Sequence, residues 1–478
     1  MPILPGFKFP IRHHRLSPLE ILKREIKSKE SHHIKHYRNL FENMLPTELL
    51  YDDLEKGKRK RIYSFEVTFW AFFTQMIWGY SSCSEAVKAV QSWFPLKKIS
   101  SNTAAYCKAR ARLNYSRLTS IFFAIVTRET KLKESEKWHG KHVKIVDGTS
   151  FQLSDTQDIQ DVWPQVKSQK KYCGTPTVGV QGLTCLATGL LLDWEKSPVL
   201  SIHDSVACRP MFESLKDGDL LLADRAYGSY MNISFLKAKG VELVTRMLGA
   251  RKIKLARTTR LAKNDYLEEW PKPKKRPSHI TDEQWNNLES TITMRIIRYT
   301  VNQDGFRSRK ITLATTLLDP DKFPREDLIE LYHQRWGIEL RFRDIKTTMN
   351  TAKLNSKTPS MVAREIVMLA IAYNLTRTLI NRAIEDKKDI KYERVSFANS
   401  LAQIRHFSTM FKSNLSLEKM GEIRNDFNRI LVDTLVIYRP YRSEPRAIKR
   451  RHNRYKLITT KRSEMFVPSQ GKKYKKRA

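Results

Sequence analysis

Cysteine is the scarcest residue among those that staple folds, and acidic residues are few beside the basic ones. Its five cysteines (Cys83, Cys107, Cys173, Cys185 and Cys208) are scattered over 478 residues and form no CxxC pair. That pattern excludes a disulfide scaffold and fits reduced thiols in a cytoplasmic protein. Long hydrophobic runs are missing too. The strongest, 65–80, carries Glu66 and Gln75 and is too short to cross a bilayer, so it reads as a buried helix. The N-terminal residues mix Pro, His, Lys and apolar residues, and no signal peptide is expected. Acids are outnumbered, 50 Asp and Glu against 87 Lys and Arg, for a formal net charge of +37. Such an excess opposes self-association and attracts a polyanion, with nucleic acid the first candidate. A membrane-surface role is disfavoured, because the cations are spread along the chain and not gathered on one amphipathic segment.

What is present divides into five stretches. Residues 1–135 read as a helical N-terminal DNA-binding domain. Within it, 100–113 offers a cap followed by a short helix carrying Lys108, Arg110 and Arg112. Such a helix fits either entry into a major groove or a solvated face over an aromatic core. In 140–247, apolar strands at 143–146, 177–186, 190–194, 218–224 and 241–245 alternate with helical segments, which points to an α/β core. Residues 248–312 turn basic and irregular, with strands expected at 292–301 and 309–316, and read as a β-rich insertion. The core resumes over 313–385, with a helix after Pro324 running to 349 and a second at 361–384. Residues 386–478 read as a helical C-terminal region and a basic tail. From 439 onward that tail holds fifteen Lys or Arg against two acids and is expected to be disordered.

The helix over 324–349 carries the densest pattern. At about 100° per residue, Leu331, Ile338, Phe342, Ile345 and Met349 share one apolar stripe. Tyr332, Arg335, Glu339 and Lys346 fall within about 60° of one another beside it. A solvated helix would show the same row, so the pattern alone does not choose. Trp336 lies off the row and is expected to pack. Asp147 and Asp224 are each expected at the end of a short apolar strand, close to a glycine. Two aspartates and Glu339 from three separate elements form the oxygen-only ligand set that hard divalent ions take. Two such ions about 3.5–4 Å apart hold the attacking and leaving oxygens of an in-line phosphoryl transfer.

Three motifs together resemble the DDE transposases of the IS4 family: Val146-Asp147-Gly148-Thr149, Leu222-Ala-Asp224-Arg-Ala-Tyr-Gly228, and Tyr332-x2-Arg335-x3-Glu339-x6-Lys346. The last is the family's Y-R-E-K signature, complete here. Tyr373-Asn374-Leu375 and the segment 106–112 are similar as well, and the likeness runs from about 100 to 380. The resemblance implies a ribonuclease-H-like catalytic core, with the β-rich insertion lying in the 115-residue interval from Asp224 to Glu339. It implies that Asp147, Asp224 and Glu339 bind two Mg²⁺ ions, with Mn²⁺ a substitute. Tyr332, Arg335 and Lys346 would contact double-stranded DNA near the transposon end. The implied reaction is hydrolysis at the element's ends and attack of the freed 3′-OH on target DNA. It would be carried out in the bacterial cytoplasm, at the nucleoid, by a homodimer joined through the helix at 361–384 and the residues beyond it.

Helix rise refines these roles. Lys346 lies about 10 Å from Glu339 along the axis, which suits a neighbouring phosphate better than the metal. Arg335, about 6 Å away on the other side, suits a bidentate phosphate grip. Tyr332, a turn further out, would stack on a base and bond a phosphate. Some family members flip a base onto a tryptophan of the insertion, and Trp270 and Trp285 are the candidates, each of which also fits a core position. Two other readings share these residues: a catalytically inactive DNA-binding derivative, and a structure-specific two-metal nuclease.

Overall fold

The computed structural model describes residues 61–436, except for short breaks at 80–81, 95–96, 132–133, 167–169, 171–172, 199–203, 250, 252, 254–257, 302–308, 388 and 409–415. A few positions between 37 and 50 and after 458 are also described. Most of the basic tail lies outside the described residues.

A mixed α/β architecture is built on one nine-stranded sheet. Its strands are β1 (Val143–Gln152), β2 (Thr177–Cys185), β3 (Leu191–Pro198), β4 (Leu220–Ala223), β5 (Glu242–Arg246), β6 (Thr258–Ala262), β7 (Asp265–Pro271), β8 (Thr291–Val301) and β9 (Arg309–Thr315). They lie in the order β3-β2-β1-β4-β5-β9-β8-β7-β6. β1, β4 and β5 run parallel; every other neighbouring pair is antiparallel. The strands from the stretch expected to form an insertion, β6 to β9, continue the same sheet, because β9 pairs directly with β5 through Arg246 and Leu313.

Alternation along the central strands divides the core. Ile145, Leu220, Leu222 and Val244 face one apolar cluster, while Val146, Leu221, Ala223 and Leu243 face the other. The period of two makes this division automatic once the strands pair. Both faces are covered, so these strands read as continuous apolar runs.

The first face is covered by helices from both ends of the chain. These are α1 (Phe65–Trp78), α2 (Cys83–Trp93), α3 (Ala104–Arg112) and α4 (Tyr115–Glu129), with α8 (Pro359–Ala383), α9 (Phe397–Phe407) and α10 (Leu417–Asp433). α1 is buried without interruption from Val67 to Ile77, capped by the Ser64 hydroxyl at its start and by left-handed Gly79 at its end. On the opposite face lies α5 (Tyr230–Ala238).

α8 is buried at every residue from Glu365 to Ile380. The expectation that this helix joins two copies is therefore corrected, since its sides are already occupied within one chain. It serves instead to hold the sheet. Asn374 receives the Leu191 N–H at 2.9 Å and donates to the Leu191 carbonyl at 2.8 Å, and the Tyr373 hydroxyl donates to the Gly189 carbonyl at 2.8 Å.

Candidate active site

Strand register builds the first half of the site. β1 and β4 pair in parallel up to Val146 and Ala223, so the next residues, Asp147 and Asp224, emerge side by side. β1 does not end there, as the sequence suggested, but runs on to Gln152. Antiparallel β2 continues to pair with it, through Asp147↔Gly182, Gly148↔Gln181 and Thr149↔Val180. Asp147 thus lies inside a strand, at the point where one of its two neighbours stops. Asp224 is fixed from the other side, its carbonyl accepting the Thr245 hydroxyl at 3.0 Å.

Two glycines allow this close packing. A Cβ on Gly148 would stand 2.9 Å from the Gln181 amide. That amide is held in place, donating to Asp204 at 2.8 Å and receiving the Tyr227 hydroxyl at 2.5 Å. A Cβ on Gly182 would stand 3.1 Å from the Phe342 ring, so its absence lets the following helix lie against β2 beside Asp147.

That helix departs from the single rod expected over 324–349. α6 (Arg325–Gln334) ends at Arg335, α7 (Gly337–Arg343) begins after Trp336, and Asp344–Thr348 forms a π-helical turn. Between them the ladder tightens to i→i+3, with Ile338 N–H bonding the Arg335 carbonyl at 3.2 Å and Glu339 N–H the Trp336 carbonyl at 3.1 Å. Gly337, a poor helix former, sits at this break. The π turn follows where Met349 N–H reaches back to the Asp344 carbonyl at 3.0 Å. Arg377 of α8 donates to Asp344 at 3.1 Å and anchors the turn from below. Arg341 anchors α7, donating to Thr184 at 2.7 Å and to the Tyr392 hydroxyl.

Although broken, the segment brings its signature residues to the strand ends. Arg335 Nη1 donates to Asp147 Oδ2 at 3.0 Å, and Nη2 lies 3.8 Å from Glu339 Oε1. Lys346 Nζ reaches Thr149 Oγ1 at 3.4 Å and stands 5.8 Å from the Phe151 ring, further along β1. It touches neither Asp147 nor Glu339. Glu339 is open to solvent, whereas the Arg335 side chain is nine-tenths buried. Burial raises the Asp147 carboxyl above its ordinary range, with the nearby Asp224 charge adding and Arg335 opposing. Glu339 is raised for the same reasons, desolvation first.

Several assignments change. Tyr332 is buried among apolar side chains, its hydroxyl pushed up to about 12 by desolvation, so its ring cannot stack on a base. The exposed aromatic is Trp336, at 60 %, which was expected to pack. Trp270 is a core residue, with its indole N–H on Glu268 at 2.9 Å and the Arg251 guanidinium 3.9 Å over its ring. Trp285 is half-buried under the Lys272 ammonium. On α3, Lys108 and Arg112 are exposed, but Arg110 is 6 % exposed. It lies 4.2 Å over the Phe72 ring and donates to Gln75 and Ser356, which makes it a strut between helices.

The sequence reading missed Arg246. It follows Thr245, the partner of Ala223, and therefore emerges beside Asp224 at the end of the third parallel strand. Its signal was present, a cation closing an apolar strand at the level of the two aspartates, but it shows only once the strands are aligned.

Chemically, the site offers three carboxylates, which are hard oxygen donors suited to a divalent ion. Burial and neighbouring acids raise the Asp147 and Glu339 carboxyls, and a bound dication would offset both effects. Among the described residues the three are not gathered to a single point, and Arg335 lies between Asp147 and Glu339.

The chain is similar to known transposases. The Transposase DDE domain family matches residues 138–375, from just before β1 to the middle of α8. The transposase InsG for insertion sequence element IS4, from Escherichia coli (strain K12), is 24% identical over 403 residues, 83% of this chain and 88% of that protein. A cryo-EM structure of piggyBac transposase in a synaptic complex with hairpin DNA aligns at a TM-score of 0.42 and 8% identity, over 84% of this chain and 85% of that one. That last likeness is too loose to carry weight. The matched span contains all three carboxylates and the whole signature, and the chain belongs to the IS4-family DDE transposases, enzymes that cleave DNA and transfer its strands.

Proposed function

We propose that this transposase cuts its element out through Asp147, Asp224 and Glu339 and joins the freed 3′-OH to target DNA. One observation carries the reading: the β1–β4 register sets Asp147 and Asp224 side by side, with Glu339 of α7 facing Asp147 across the Arg335 guanidinium. The strand order β3-β2-β1-β4-β5, with β2 antiparallel and β4 parallel to β1, supports a ribonuclease-H-like core. The three acids would hold Mg²⁺, or Mn²⁺ in its place. When bound, such ions supply Lewis-acid stabilisation of the attacking and leaving oxygens.

The chain's own groups bind and orient the DNA. Lys346, displaced along β1 from the acids, takes a phosphate beside the scissile one. Arg246 sits on the other flank, and a duplex running across the strand ends would meet both. Arg335 is suited to grip a phosphate through its planar fork once it leaves Asp147. Tyr332 stays neutral and positions Arg335. Lys108 and Arg112 on exposed α3 are the candidates for binding the terminal repeat away from the chemistry, and Trp285 remains the insertion's candidate for a flipped base. Two ends need two such sites, so a homodimer is proposed for the synaptic complex.

The test incubates the protein with its flanking inverted repeats and Mg²⁺ and resolves the products on a denaturing gel. Glu339→Gln is expected to abolish end cleavage and leave end binding nearly intact. Cleavage retained by that variant would refute the assignment. Joined products separate a transposase from a nuclease, and absence of any product in the native chain would favour an inactive derivative.

A further inference from the structure

Arg335 does not stand where a DNA-gripping residue would be free to act. Its guanidinium lies between Asp147, at 3.0 Å, and Glu339, at 3.8 Å. Its side chain is nine-tenths buried, and its Nε–H is buried without a partner among the described residues. A guanidinium has five N–H donors in one plane, and leaving one of them buried and unmet is unfavourable. The arrangement therefore bonds one carboxylate, places charge near a second, and leaves the arginine itself under-satisfied.

We propose that Arg335 is a resident counter-cation that competes with divalent metal for Asp147 and Glu339, and that a DNA phosphate releases it. The proposal rests on the reading of these acids as metal ligands. A guanidinium bonded to Asp147 repels a dication approaching the same oxygens. Glu339 lies on the outer side of Arg335, so drawing the acids together requires the guanidinium to withdraw. A phosphate offers two anionic oxygens that accept a pair of parallel N–H bonds from the planar guanidinium. Linkage then makes the effect reciprocal: DNA that draws Arg335 away raises metal affinity, and metal raises DNA affinity by the same factor. The chain without DNA stays poorly loaded, which limits metal-dependent nicking away from an end.

The test measures Mn²⁺ binding to the full-length chain without DNA, by electron paramagnetic resonance of the free ion. Arg335→Gln keeps much of the length and removes the charge. It is expected to bind Mn²⁺ about tenfold tighter than the native protein, within the usual range of coupled sites. Arg335→Lys should fall between them and carries the test if circular dichroism finds the Gln variant unfolded. Asp147→Asn, in each background, should abolish the tight binding. Equal or weaker Asp147-dependent binding in both Arg335 variants would overturn the competition while leaving the metal site intact. Loss of any Asp147-dependent binding in every background would overturn both. Release by DNA is read from the anisotropy of a labelled terminal-repeat duplex. Mn²⁺ should tighten its binding to the native chain several-fold more than to Arg335→Gln, and equal tightening would overturn the release.

Discussion

Asp147 and Asp224 reach the active site on paired strands, whereas Arg335, Glu339 and Lys346 reach it on a segment broken twice. On the sheet side the backbone ladder sets positions: once Val146 pairs with Ala223, the two acids have no other place to go. On the helix side nothing comparable applies. Position there depends on side chains: Phe342 lying over Gly182, Arg341 on Thr184, and Arg377 on Asp344. A ladder is rigid because each shift flips a whole face. A helix held by a few anchors can adjust, which suits the proposed order in which its groups meet DNA and then close on metal.

Five substitutions probe that contrast, from the largest expected effect to the smallest. Asp224→Asn keeps the register and removes a charge from the rigid side. End cleavage should drop at least about 10⁴-fold, as expected when a metal ligand is lost, while gel-shift binding of the end is unchanged. A drop of under tenfold would mean that the strand ends are not the reaction centre. Arg377→Met breaks the main anchor of the π turn and leaves Asp344 buried and unpaired. Removing one partner of a buried pair costs about 3–5 kcal/mol, to be read from urea denaturation. A cost below about 1 kcal/mol, the value of an exposed pair, would show that the turn is held by something else.

Phe342→Ala loosens α7 directly and should cost about 3 kcal/mol, measured in the same way. Gly182→Ala, which crowds the same ring, should cost less, about 1 kcal/mol. Equal losses would contradict the picture of a movable helix on a fixed strand. Lys346→Ala touches only the adjustable side. It should weaken end binding several-fold and lower the slope of log K against log salt by about 0.9, the release of one phosphate contact.

The raised carboxyls add a pH test. Asp147 and Glu339 hold protons to a higher pH than free carboxylates, and a metal must displace them. Mn²⁺ affinity should therefore be full above their raised range and fall as pH drops through it. That loss should begin at higher pH than for an exposed carboxylate site, with titration of Mn²⁺ binding as the readout.

Much of the sheet was legible, because β-branched and apolar runs bounded by glycine identify strands locally. That β9 would join β5 was not, since the pairing residues, Arg246 and Leu313, are far apart in sequence. Within the site, the two acids and the signature spacing were visible, but the fate of individual side chains was not. Lys108, Arg110 and Arg112 look alike in sequence, yet Arg110 alone is buried on Phe72. Trp270, a candidate for either a flipped base or the core, is core, and Trp336, expected to pack, is exposed, because exposure depends on what folds over a residue and not on its neighbours in the chain. Tyr332 moved from the DNA to the core for the same reason.

The sequence by itself determined which groups are present and their order: three acids, the signature row and a charge that draws DNA. Those follow from residue identity and spacing, which no folding can change. Tertiary structure alone decided that Asp147 lies within a strand and not at its end, that the signature helix breaks at Gly337 and swells at Asp344, and that Arg335 turns toward the acids. Each of those depends on a contact between distant segments, and periodic arithmetic along one uninterrupted helix cannot anticipate it.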